Sequence, residues 1–77
     1  MSIYTKITRP EFLPGYGGGE YIYNETRGME YNVHEYEGQT YLACCHESVG
    51  IVKFFLVHDV DAMYADIYDD PDASEGY

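Results

Sequence analysis

The chain has 77 residues, enough for one domain with a thin core, and its fourteen Asp and Glu against four Lys and Arg give a formal charge of -10. A field of that sign repels nucleic acid and anionic membranes, so direct binding to either is excluded and a basic protein surface is the expected partner. Ten tyrosines, three phenylalanines and no tryptophan mean that much of the apolar surface carries a hydroxyl and tolerates water at one end.

From the N-terminus, Ser2 to Thr8 alternates Ile3, Thr5 and Ile7 with Tyr4, Lys6 and Thr8, the pattern of a short strand. Arg9-Pro10 ends it, because proline removes a donor and restricts its predecessor. Residues 14–19, Pro-Gly-Tyr-Gly-Gly-Gly, read as a flexible loop. They are not a phosphate cradle, since the Walker Gly-Lys-Ser/Thr is missing and Glu20 stands where the dinucleotide fingerprint needs its third glycine. Glu20 to Glu25 brings Tyr21, Ile22 and Tyr23 into a second strand, turned by Thr26-Arg27-Gly28.

A hairpin follows. Met29, Tyr31 and Val33 alternate with Glu30, Asn32 and His34, and Leu42 and Cys44 alternate with Tyr41, Ala43 and Cys45. A two-residue turn at Glu37-Gly38 sets Val33 against Leu42 and Tyr31 against Cys44, making one face apolar; a three-residue loop would set His34 against Leu42 instead. The pattern prefers the tight turn. The opposite face then carries His34 across from Tyr41, with Tyr36, Ala43 and Cys45 nearby, either as a binding surface or covered by the N-terminal segment.

Ile51 to Val57 is the densest apolar run and is expected to be the central strand, buried on both faces. Asp59 then caps a helix whose apolar stripe is Val60, Met63, Tyr64, Ile67 and Tyr68. Residues 70–77 form an acidic tail expected to fray. The whole, 1–77, reads as a single α+β domain: a small antiparallel sheet of four to five strands with one C-terminal helix packed on one face.

No residue pattern specifies catalysis or a cofactor. Cys44 and Cys45 point to opposite faces of a strand, so they neither share a metal nor bond to each other, and an acidic chain disfavours a reactive thiolate. Cys44-Cys45-His46 with His34 or His58 lacks the paired spacing of structural zinc, and the C-terminal aspartates lack the order of a calcium loop. The expectation is therefore no enzyme, no cofactor and no metal.

The charges are more informative. Asp59 and Asp61 complement the helix dipole at its N-terminus, whereas Asp69 and Asp70 oppose it at the other end. With Asp66 they make a row of carboxylates that few cations relieve, spaced at about 5–6 Å along the helix, near the spacing of phosphates. Glu30, Glu35, Glu37 and Glu47 extend this surface, and Tyr36, Tyr41 and Tyr64 are the expected aromatic anchors.

In size, charge, lack of a catalytic motif and sheet-plus-helix pattern, the chain resembles the small acidic DNA-mimic inhibitors encoded by phages, among them anti-CRISPR proteins, anti-restriction proteins and inhibitors of uracil-DNA glycosylase. The resemblance implies an inhibitor, of the anti-CRISPR type in first place, that docks on a basic nucleic-acid-binding protein or nucleoprotein complex and excludes target DNA. It also implies residence in the host cytoplasm, consistent with the absence of a signal core in Met-Ser-Ile-Tyr-Thr-Lys. The alternative is a structural or adaptor protein whose tyrosine-rich face makes a homodimer or larger oligomer.

Overall fold

The computed structural model describes residues 2–68. Five strands, β1 (Tyr4–Ile7), β2 (Glu20–Asn24), β3 (Met29–Tyr36), β4 (Gln39–His46) and β5 (Val52–Val57), precede one helix, α1 (Val60–Ile67). The sheet is antiparallel throughout, in the order β1-β5-β4-β3-β2. The fold is thus α+β.

The hairpin of β3 and β4 has the tight turn. Glu37 and Gly38 adopt φ of 50° and 78°, the left-handed pair that matches the twist of flanking strands. Tyr36 pairs with Gln39, Val33 with Leu42 and Tyr31 with Cys44. Side-chain alternation from this register divides the sheet into two faces.

The first face holds Ile22, Tyr31, Val33, Leu42, Cys44 and Val57, which form one buried cluster with Met63 and Ile67 of α1. Both helix residues are wholly buried. The helix starts where sequence puts it, with the Asp59 carboxylate accepting from the Ala62 N–H at 3.1 Å. At its other end Asn24, itself buried, donates to the Ile67 carbonyl at 3.0 Å and accepts from the Arg27 N–H at 3.0 Å. One amide therefore closes both a helix end and the turn after β2. Of the expected stripe, Val60 and Tyr68 are instead exposed.

The second face is covered in part by the chain between β1 and β2. These are the two outer strands, so their connection must cross the sheet, a span of roughly 19 Å at about 4.8 Å per strand. Residues 8–19 make that crossing. Leu13 is buried with Ala43 and Phe54, and Phe12 stacks on Tyr36 at 4.0 Å while meeting Tyr41 edge-on at 5.3 Å. The Gly18 carbonyl accepts from Asn32 at 2.8 Å. Gly19, at φ 64°, lies so close to β3 that a Cβ there would overlap the Val33 carbonyl oxygen.

One expectation is corrected here. Ile51–Val57 is not the central strand: β5 is second from an edge and β4 holds the centre. Ile51 lies outside β5 and is exposed. The run of Leu42, Ala43, Cys44 and Cys45 is buried throughout, Leu42 and Cys44 in the cluster with Met63 and Ile67 and Ala43 in the one with Leu13 and Phe54. Apolar density alone marked the wrong strand.

Candidate protein-binding surface

The carboxylates of the described residues do not form a row along the helix. Asp59 is the N-cap and Asp61 is exposed in the first turn. Asp66 is drawn inward: one oxygen accepts from the Tyr4 hydroxyl at 2.8 Å and the other from Arg27 Nη2 at 3.3 Å. Arg27 also reaches the Tyr31 hydroxyl at 3.2 Å. The expectation that Asp66 belongs to an unrelieved row of carboxylates is therefore corrected, since its carboxylate ties α1 to β1 and to the turn after β2. Asp69 and Asp70 lie outside the described residues.

The acidic surface lies instead on β2, β3 and the loop after β4. On the second face, Glu30 accepts from the Tyr16 hydroxyl at 2.7 Å and from the Tyr21 hydroxyl at 3.3 Å. Next to it, Glu47 accepts from the Tyr23 hydroxyl at 2.6 Å. On the first face, Glu20 accepts from the Tyr64 hydroxyl at 2.6 Å, and Glu20, Glu35, Val33 and Tyr64 line a shallow cleft of about 330 Å³. Each is a phenol donating to a carboxylate, a short charge-assisted bond.

These bonds hold the phenols in their neutral form. The bond to Glu47 pushes Tyr23 up to about 12, and the bond to Glu20 does the same for Tyr64, also to about 12. Tyr16 is raised mainly by its bond to Glu30, and Tyr21 mainly by lost hydration and then by Glu30. The rings stay uncharged while the carboxylates remain acceptors on their other lone pairs.

Tyr16, Tyr21 and Tyr23 are 61%, 56% and 44% exposed, so three aromatic rings stand beside two carboxylates on one open surface. Tyr36 and Tyr41, expected as anchors, are engaged by Phe12. Glu35 and Glu37 are exposed at the β3–β4 end. The sequence reading passed over Tyr16, Tyr21 and Tyr23 as binding groups. The signal was present for two of them, since Tyr21 and Tyr23 flank Ile22 and a strand that buries Ile22 turns both to the other face.

Positive charge is gathered elsewhere. Lys6, Arg9 and Lys53, three of the four cations, line a cleft of about 570 Å³ with Ile7, Thr8, Ile51, Val52 and Phe54, beside β1 and β5. Cys44 and Cys45 are free thiols on opposite faces, and burial pushes Cys44 up. Among the described residues no three His, Cys, Asp or Glu side chains are gathered as a metal site, and no helix is long and apolar enough to cross a membrane.

Comparison with models of known protein families, with curated proteins and with solved structures returns no match for this chain. The chemistry of the surface is what bears on function: ordered carboxylates, neutral phenols and segregated charge.

Proposed function

We propose that the protein is a non-enzymatic inhibitor of the anti-CRISPR type, which sets its carboxylate and tyrosine surface into the basic nucleic-acid-binding groove of a host defence complex and excludes target DNA. The observation that carries this reading is the pair Glu30 and Glu47, each bonded to a tyrosine on the second face beside β2, with Glu20 bonded to Tyr64 on the first face of the same strand. Fixed carboxylates stand in for phosphates, and exposed rings supply the area that gives a complex its lifetime. In this reading α1 packs on the first face and stiffens β2 from behind. The host cytoplasm is the compartment in which such a target is met.

The test is capture from a bacterial lysate on the tagged full chain, eluted with rising salt. The expected eluate is a nucleic-acid-binding complex that duplex DNA also displaces. Replacing Glu20, Glu30, Glu35 and Glu47 by Gln should release it at lower salt. Partners indifferent to DNA, or the protein's own copies alone, would overturn the proposal. The exposure of Tyr16, Tyr21 and Tyr23 favours a second reading, an oligomer interface, and the capture of copies alone would be its sign.

A further inference from the structure

We infer that the outer edge of β2 is itself the docking element, and that it takes as an added antiparallel strand an extended segment of a basic protein with Lys or Arg at alternate positions. The inference rests on the reading that the partner is a basic protein, and it names the part of that partner that is held.

The backbone argument starts at the turn. With a two-residue loop at Glu37-Gly38, the flanking pair Tyr36–Gln39 exchanges both backbone hydrogen bonds. Bonding then alternates along β3, so Tyr36, His34, Asn32 and Glu30 turn their backbone groups to β4, and Val33, Tyr31 and Met29 turn theirs to β2. The β2 residues opposite those three are Glu20, Ile22 and Asn24. Tyr21 and Tyr23 therefore direct their N–H and C=O groups out of the sheet, and no described strand lies beyond them.

Edge strands are ordinarily blunted by lysine, proline, a bulge or very short length. The sequence Glu-Tyr-Ile-Tyr-Asn has neither lysine nor proline, and its register with β3 runs unbroken over five residues. Among the described residues it is a strand open to pairing, the arrangement that proteins use to bind peptides by strand addition.

Side chains select the occupant. Residues of an added strand opposite Tyr21 and Tyr23 project onto the second face, as those tyrosines do. There they meet two exposed rings whose hydroxyls are held by Glu30 and Glu47. An Arg or Lys at both positions finds an aromatic face and a carboxylate together. The residue between them falls on the first face, beside Ile22 and the Glu20 carboxylate held by Tyr64. A second copy of the chain fits less well, because its β2, paired antiparallel about Ile22, sets Tyr23 and Tyr21 opposite Tyr21 and Tyr23 and brings no cation to Glu30 and Glu47.

The test uses the full chain and the capped peptide Thr-Arg-Val-Arg-Thr, titrated by NMR at low ionic strength. One twin is N-methylated at both Arg nitrogens, which removes the donors aimed at β2, and another at the Val nitrogen, which points away. The Arg-methylated twin should bind at least tenfold more weakly than the parent, and the Val-methylated twin within about twofold of it. The Tyr21 and Tyr23 amides should exchange more slowly in the complex. Equal, salt-sensitive binding of all three peptides would overturn strand addition while leaving the acidic-surface reading intact. Failure of the parent to bind would overturn it too. So would a dimer by sedimentation with the Tyr21 and Tyr23 amides already protected, since the edge would then belong to a second copy.

Discussion

The Tyr4 hydroxyl donates to Asp66 at 2.8 Å across 62 positions of sequence, joining β1 to the helix. Replacing Tyr4 by Phe keeps the ring against Phe55, 5.6 Å between centroids, and removes only the bond. The expected loss is about 1–2 kcal/mol, as for a part-buried hydrogen bond to a charged group, read as a lower urea midpoint with an unchanged slope. A midpoint equal to that of the parent would show that the bond contributes nothing.

Glu37 occupies a left-handed conformation at φ 50°, which costs an ordinary side chain more than it costs Asn. Replacing Glu37 by Asn should stabilise the fold by roughly 0.5–1 kcal/mol, since Asn-Gly is the favoured pair for this turn. Gly38→Ala should destabilise it by about 1 kcal/mol through its φ of 78°. Thermal melts of both variants check the sign.

His34 is 8% exposed, its buried Nε2 finds no hydrogen-bond partner among the described residues, and burial pulls its pKa down. The unfolded chain therefore binds a proton that the folded chain refuses. The contribution is present in full above the ordinary histidine value of about 6.5 and shrinks as pH falls below it. Between pH 7.5 and 5 the parent should lose stability relative to His34→Gln, each compared by urea midpoint. A difference that does not change with pH would contradict the assignment. Gly19→Ala, which drives a Cβ to 2.8 Å from His34 Nδ1, should unseat the 8–19 connection from β3 at any pH.

The phenols titrate in the opposite sense. Tyr23 and Tyr64 are raised to about 12 by their carboxylate partners, above the value of about 10 they regain on unfolding. Their contribution is complete below pH 10 and is lost as pH climbs through 12. Absorbance of tyrosinate should show these two ionising late in the folded protein, and Glu47→Gln should move Tyr23, but not Tyr64, to lower pH. If Tyr23 ionises near 10 in the parent, the bond to Glu47 is absent in solution.

The hairpin register was legible because two signals agreed: alternation of Tyr31 and Val33 against Leu42 and Cys44, and a turn dipeptide suited to left-handed geometry. The helix start was legible from Asp59 for a similar local reason. Strand order was not, because it depends on which distant segments pair. Nothing local says that Ile51–Val57 sits between β1 and β4, or that four small and mid-sized residues from Leu42 to Cys45 mark the centre. The acidic site was half legible. Its charge and its tyrosines were visible, but the helix row failed at Asp66, whose partner Tyr4 lies at the other end of the chain. Tyr21 and Tyr23 beside Ile22 were the better clue, and reading them required knowing that β2 is an outer strand.

Among the described residues Lys6, Arg9 and Lys53 share one cleft that Glu20, Glu30 and Glu47 do not line, so the described part of this anion carries its positive and negative charge apart. A basic surface exerts a torque on such a body as well as a pull. The torque acts once the two surfaces come within about a Debye length, roughly 8 Å at physiological salt, so that the tyrosines lead and the lysines trail when they meet.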